Sequence, residues 1–139
     1  MQNELTQEAL RWLASETAQW VRARRWQLVV TEAVAQAGLR FNEWLVLVAT
    51  LELTRAKQDA VSQNEVCRAL GLTRMQVAVA MRAIDDLGLV SRGIDMDGFM
   101  WRVFVTQKGE ARVAETRLRV LCAAQSALAA NAGEGAMRG

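Results

Sequence analysis

The sequence has no proline, histidine or tyrosine, and only two of its 139 residues are cysteine. Without histidine a zinc site would lack a usual ligand, and the commonest general base is missing. Cys67 and Cys122 lie in apolar helical patterns, which predicts two buried thiols in a reducing compartment. No pair of acids brackets a serine or cysteine in a nucleophile motif. The sequence therefore predicts no metal site, no cofactor and no enzyme.

Long apolar runs are also missing. The first eight residues include acids rather than a basic region followed by an apolar stretch, and no apolar run approaches membrane-spanning length. We therefore expect a cytoplasmic protein that does not contact a membrane. The formal net charge of +2 decides little, because a polyanionic partner needs a local basic face more than a global excess.

The scarcity of helix breakers favours long helices at both ends of the chain. The pattern is helical from about Glu4 to Ala37 and from Glu110 to Ala130, and residues 131–139 have the composition of a flexible tail. Trp12, Trp20 and Trp26 leave the first helix with more apolar surface than one small core can cover. We expect a partner chain to cover this apolar surface.

The middle of the chain begins with a predicted helix from Glu43 to about Leu53. Asn42 is its expected N-cap, and its stretch at 44–49 is apolar on all sides, which indicates a central place in the core. The polar segment from Thr54 to Val61 is expected to be a loop.

Two capping boxes follow in quick succession. Ser62-Gln-Asn-Glu65 predicts a short helix through Leu70, and Thr73-Arg-Met-Gln76 predicts another to about Leu87. Only Gly71-Leu72 separates the two boxed helices, which is the pattern of a helix-turn-helix. The second helix should bury Val77, Ala80 or Met81, Ile84 and Leu87, and should expose Arg74, Met75, Gln76, Ala78, Val79 and Arg82.

A change of periodicity follows Gly88. Residues 89–94 and 101–106 alternate like strands around Asp95-Met-Asp-Gly98, which contains an Asp-Gly hairpin signal. This predicts a two-stranded wing that packs on the helices through Val90, Val103 and Val105. The fold class is thus mostly α with a small β-hairpin wing.

From Phe41 to Gly109 the order of elements resembles the MarR (multiple antibiotic resistance regulator) family of winged helix-turn-helix transcriptional regulators. The resemblance rests on three motifs, which are Gly71-Leu-Thr-Arg74 at the turn, Ile84-Asp-Asp-Leu-Gly-Leu-Val-Ser-Arg92 after the recognition helix, and Val105-Thr-Gln-Lys-Gly109 at the close of the wing. It implies an N-terminal dimerisation helix (1–40), a DNA-binding core (41–109), and a C-terminal dimerisation helix with a flexible tail (110–139).

The resemblance also implies a homodimer on double-stranded DNA. Two recognition helices would enter successive major grooves of a near-palindromic operator, with half-sites about one helical turn apart and wings at the minor grooves. Many relatives release DNA when a small aromatic or anionic effector binds between the dimerisation helices and the core. Two departures stand out: Val79 replaces a common basic residue, and residues 95–100 lack the wing arginine.

The candidate DNA-binding residues divide by role. Arg74, Gln76, Ala78, Val79 and Arg82, with Met75 beside them, are expected to face the major groove, where glutamine can bridge adenine and arginine can fork onto guanine. Ser62, Gln63, Arg92 and Arg102 are expected to hold the phosphate backbone. Several roles stay open. Arg74 could hold phosphate instead, and Ser62 could be only a helix cap. Arg82 could be a phosphate clamp or a solvated surface charge, and Ala78 and Val79 could be ordinary surface residues.

Trp12, Trp20 and Trp44, with Arg24, form a candidate effector pocket with a cationic anchor. Core and dimer packing is the competing interpretation of these tryptophans. For the whole chain, the leading hypothesis is a dimeric sequence-specific DNA-binding regulator, acting as a repressor. The alternative is a winged-helix adaptor that binds another protein and has lost operator recognition, as the altered wing and Val79 suggest.

Overall fold

A computed structural model describes residues 2–94 and 101–138 of the chain, with side chains at 6–94 and 101–130. Five helices and three strands occupy this part of the chain, and they confirm the mostly α, winged helix-turn-helix architecture. In order they are α1 (Gln2–Gln36), α2 (Phe41–Lys57), β1 (Val61–Ser62), α3 (Gln63–Leu70), α4 (Arg74–Asp86), β2 (Val90–Ile94), β3 (Trp101–Val105) and α5 (Gln107–Arg138).

The core lies where α2 meets α3, α4 and the sheet. Val46 and Leu47 of α2 are buried, as the apolar stretch at 44–49 predicted. Every other helix of the described chain contributes to the same cluster, with Val34 from α1 and Val113 from α5 among the buried residues. The two long helices therefore pack on the winged core near the end of α1 and the start of α5.

Both ends of α2 lie outside the predicted bounds. Arg40 rather than Asn42 is the N-cap, because Glu43 Oε1 accepts a hydrogen bond from the Arg40 backbone N–H at 3.0 Å. The helix then runs through half of the predicted loop to Lys57, and its C-cap Gln58 adopts a left-handed conformation with φ of 57°. Its N–H donates to the Thr54 carbonyl at 2.7 Å. The segment after Leu53 was expected to be a loop because its residues are polar, but an exposed turn of helix has the same composition.

The wing belongs to a sheet of three strands, not the predicted two, in the order β1-β3-β2. β3 pairs antiparallel with both neighbours, and Val103 faces Val61 on one side and Arg92 on the other. Val90 and Val103 are buried and Val105 packs against the core, as predicted. The predicted Asp95–Gly98 turn lies outside the described residues.

The terminal helices are fixed to the core by polar contacts. Gly38, with φ of 81°, ends α1 as predicted, and Arg112 Nη1 of α5 donates to the Ala37 carbonyl at 2.8 Å. α5 continues to Arg138, beyond the predicted end at Ala130, so the backbone at 131–138 is helical rather than an irregular tail. None of the described helices is long and apolar enough to cross a membrane.

The cysteine prediction is wrong in part. Cys67 is half-buried against the core, but Cys122 on α5 is exposed. Both are free thiols. Cys122 looked buried because the neighbouring positions of α5 are apolar, but it lies in an open groove between α1 and α5.

Gly109 lies where the first turn of α5 packs against Leu89 and Val105. A Cβ at this position would lie 2.0 Å from the Leu89 carbonyl oxygen and 2.5 Å from Val105 Cγ1. Thr106 holds the same junction, since its N–H donates to the Leu89 carbonyl at 3.0 Å and its hydroxyl donates to the Gly88 carbonyl at 2.7 Å. Only a glycine allows the first turn of α5 to approach the end of α4 this closely.

Candidate nucleic-acid interface

Two capped helices form the helix-turn-helix as the sequence predicted. Ser62 Oγ accepts from the Glu65 N–H at 3.3 Å at the start of α3, and Thr73 Oγ1 accepts from the Gln76 N–H at 3.1 Å at the start of α4. Gly71, with φ of 66°, closes α3 by donating to the Cys67 carbonyl at 2.9 Å. The caps fix where α4 begins, and Arg74, Met75 and Gln76 in its first turn are exposed.

The outward face of α4 carries all six predicted side chains. Val77, Ala80, Met81 and Ile84 are buried, whereas Arg74, Met75, Gln76, Ala78, Val79 and Arg82 are exposed. Met75 and Val79 are exposed to 72% and 62%. Leu87 was predicted to be buried and is exposed, because the chain turns at Gly88 and Leu89 enters the core in its place.

Arg74 lies beside α3. It lines a depression of about 290 Å³ together with Asn64, Cys67 and Arg68. Two guanidinium groups beside the N-terminus of α4 suit a phosphate oxygen, since the helix dipole adds to their charge. Sequence reasoning missed Arg68, although its position on the outward side of a short amphipathic helix was a usable signal.

The two candidates at the start of α3 differ in exposure. Ser62 is buried, and both its hydroxyl and its N–H are engaged with Glu65. This supports the interpretation of Ser62 as a helix cap, and its hydroxyl does not face solvent. Gln63 is half-exposed at the first position of α3.

Glu65 lies in the first turn of α3, between the Ser62 backbone and Lys57. The hydrogen bond from the Ser62 backbone N–H, followed by the contact of Lys57 Nζ at 2.9 Å, holds the pKa of the Glu65 carboxyl below its ordinary value. The carboxylate thus stays charged and keeps the first turn of α3 in place.

The wing arginines are half-buried. Arg92 is bound to the end of α4, with its Nη2 and Nε 2.9 Å and 3.0 Å from Asp85 Oδ2. Its guanidinium carbon lies 5.7 Å from the centroid of the Trp101 ring, over its face. Arg102 projects from the other face of β3. The ion pair reduces the positive charge that the wing offers to a phosphate.

The four residues of the predicted effector pocket do not come together. Trp12 and Trp20 are exposed along α1, at 62% and 56%. Trp44 lies between α2 and α5, where its Nε1 donates to Thr116 Oγ1 at 3.0 Å. Arg24 lines a separate cavity between α1, α2 and α4. Within one chain, then, the four side chains do not line a common cavity, because closeness in sequence along one long helix does not bring side chains together.

The space beside Arg24 is a cavity of about 530 Å³ between α1, α2 and α4, here called the α1–α2–α4 cavity. Its lining comprises Arg24, Gln27, Leu28, Thr31, Arg40, Phe41, Asn42, Glu43, Met75, Gln76, Val79 and Ala80. Two arginines and several apolar side chains converge there, which is the composition of a small-molecule site. Among the residues that the structure describes, no cluster of carboxylates and thiols could hold a metal ion.

No protein-family model matches the sequence, and no curated protein matches it either. Solved structures do match. A MarR family transcriptional regulator from Rhodococcus sp. RHA1 superposes with a TM-score of 0.68 at 20% identity, over 89% of this chain and 91% of that one. A MarR family protein from Mycobacterium tuberculosis in complex with p-aminosalicylic acid gives a TM-score of 0.65 at 19% identity, over 82% and 83%.

A third match is a variant of MepR from Staphylococcus aureus bound to an oligodeoxyribonucleotide, with a TM-score of 0.62 at 16% identity, over 83% of this chain and 82% of that one. All three matches cover more than four-fifths of this chain. The resemblance drawn from the sequence motifs is thus confirmed at the level of the fold: this chain has the winged-helix architecture of the MarR family of transcriptional regulators.

Proposed function

We propose that this protein is a homodimeric, sequence-specific DNA-binding regulator that represses transcription and acts in the cytoplasm. The observation that carries the proposal is the outward face of α4. Reciprocal hydrogen bonds between Thr73 and Gln76 cap the N-terminus of this helix, and its six outward side chains are exposed to solvent beside the wing. Helices of this kind present their N-terminal residues to base edges in the major groove. A dimer that covers two half-sites would exclude other proteins from that stretch of duplex.

The roles within the interface follow from position. Gln76, Ala78, Val79 and Arg82 face the bases, and the small apolar side chains among them suit the methyl group of thymine. Arg74 with Arg68, Gln63, and the wing residues Arg92 and Arg102 contact phosphates.

Dimerisation is supported by uncovered apolar surface on the terminal helices. Leu10, Leu13 and Val21 form a stripe along α1 at helical spacing, and each is about half-exposed. Leu118, Leu121 and Leu128 are equally exposed on α5. Each such side chain contributes roughly 1.5–3 kcal/mol when it is buried, so a second copy of these helices is a fitting cover.

The dimer is tested by sedimentation equilibrium of Leu13→Glu. We expect a monomer, because a carboxylate in the middle of the stripe would have to be buried without a partner. Ala56→Glu adds the same charge at an exposed position of α2 and should sediment like wild type. A dimeric Leu13→Glu would contradict the proposed interface.

DNA binding is tested by selecting duplexes from a random library and measuring the enriched site over a salt series with wild type and Arg74→Ala. A near-palindrome with about ten base pairs between half-site centres is expected. Loss of one phosphate contact should lower the slope of log affinity against log salt by about one. Failure to enrich any duplex at low salt would refute the regulator.

The α1–α2–α4 cavity is the proposed effector site, with a small aromatic anion as its ligand. Arg24 and Arg40 would pair with the anionic group, and Phe41 and Leu28 would contact its ring. Titrating p-aminosalicylate into the protein–duplex complex should release DNA from wild type and release it less readily from Arg24→Gln. Equal release from both proteins would place the ligand elsewhere.

A protein-binding adaptor is the second candidate. It is favoured by the exposed Met75 and Val79 and by the engagement of Arg92 with Asp85. The same duplex selection separates the two functions, because an adaptor would show no salt-dependent enrichment.

A further inference from the structure

The first turn of α4 lies between two pairs of arginines. On one flank, Arg74 lines the depression beside α3 together with Arg68. On the other, Gln76 lines the α1–α2–α4 cavity together with Arg24 and Arg40. Positions 74 and 76 are about 200° apart around a helix of 3.6 residues per turn. The two pairs of arginines therefore lie on opposite flanks of the same turn.

The fold does not use the charges of the cavity pair. Arg24 and Arg40 are both exposed, and neither forms an ion pair within the part of the chain that the structure describes. Glu43 is the carboxylate in the cavity lining, and its Oε1 accepts from the Arg40 backbone N–H at 3.0 Å rather than from a guanidinium. Two positive charges and one negative leave the lining with a net charge of +1. Both guanidinium groups are therefore available to an anion from outside the chain.

A helix in the major groove has a phosphate backbone along each flank. With its side chains it is about 10–12 Å wide, and the groove is about 12 Å wide, so the helix nearly fills it. We propose that Arg24 and Arg40 bind phosphates of the DNA strand on the cavity flank of α4, opposite the strand that Arg68 and Arg74 contact. The proposal rests on the proposed function, because it concerns the same recognition helix.

The test measures affinity for the duplex selected by wild type over a salt series. Arg24→Gln and Arg40→Gln should each lower the slope of log affinity against log salt by about one, and the double variant by about two. Arg24→Lys and Arg40→Lys keep the charge and should keep the slope. Arg11→Gln is the matched control, because Arg11 is also exposed on α1 but lies about 20 Å from Arg24 along the helix axis. It should keep the wild-type slope.

The same two guanidinium groups are the proposed anchors of the anionic ligand. A carboxylate bound to them would cancel charge that otherwise holds a phosphate. Saturating p-aminosalicylate should therefore lower the wild-type slope towards that of the double glutamine variant, and should leave the slope of that variant unchanged. A wild-type slope that p-aminosalicylate does not change would overturn this link between ligand and phosphate.

The outcomes separate this inference from the proposed function. If wild type binds its selected duplex and both glutamine variants keep the wild-type slope, the phosphate contacts are wrong while the regulator stands. An equal fall in Arg11→Gln would also overturn them, because the effect would then come from net charge alone. A changed sequence preference in either glutamine variant would assign that arginine to a base instead. If wild type enriches no duplex, the proposed function itself fails.

Discussion

Gly109→Ala should destabilise the protein, although alanine is ordinarily the better helix former. Alanine gains about 1 kcal/mol over glycine inside a helix. Here its Cβ would lie 2.0 Å from the Leu89 carbonyl oxygen, and Leu89 is itself buried. The contact is with backbone, so α5 or the end of α4 must shift. Overpacking of this kind costs roughly 1–3 kcal/mol, and losing the Thr106 hydrogen bond to the same carbonyl adds about 1 kcal/mol. We expect a net loss of about 2 kcal/mol.

Urea unfolding followed by circular dichroism measures this change, at one protein concentration because dimerisation would shift the midpoint. Gly93→Ala is the control. Gly93 lies in β2 without a positive φ, and a Cβ there would meet nothing within 4 Å, so its stability should stay within about 0.5 kcal/mol of wild type. The steric account of Gly109 is refuted if Gly109→Ala is as stable as wild type, or if both variants lose stability equally.

Three further predictions concern single contacts. Trp44→Phe removes the hydrogen bond to buried Thr116 and should cost about 1 kcal/mol in urea unfolding; an unchanged midpoint would contradict this role. Asp85→Asn should cost less than about 1 kcal/mol, since the pair is partly exposed. It should also steepen the salt dependence of duplex binding by up to about one unit, because it frees Arg92 for a phosphate; an unchanged slope would exclude that role. The lowered pKa of Glu65 stabilises the fold above the ordinary glutamate range, and this stability is lost as pH falls through the lowered value. In wild type the urea midpoint should decline between neutral pH and about pH 3, and Glu65→Gln should make this decline shallower. If the decline is equally steep in the variant, the loss of stability comes from other groups.

The helix-turn-helix could be predicted because its signals are local. Each helix starts with a capping box within four residues, and Gly71 marks the turn by a backbone conformation that glycine readily adopts. The buried and exposed faces of α4 follow from helical spacing alone. Leu87 is the exception, because its burial depended on where the chain turns after the helix.

What the sequence could not predict depends on contacts between distant residues. The third strand exists because Val61 pairs with Val103, and neither residue signals the other. The ion pair of Arg92 with Asp85 could not be read from charge patterning, since it joins a strand to a helix. The α1–α2–α4 cavity escaped sequence reasoning for the same reason, because it forms where α1 and α2 approach α4.

Met75, Gln76 and Val79 line the α1–α2–α4 cavity and also belong to the outward face of α4. One set of side chains therefore shapes two surfaces. Under the proposed function, a substitution at any of the three changes operator preference and ligand response at once. Engineering one of these traits without the other would then have to start from Ala78 or Arg82, which do not line the cavity.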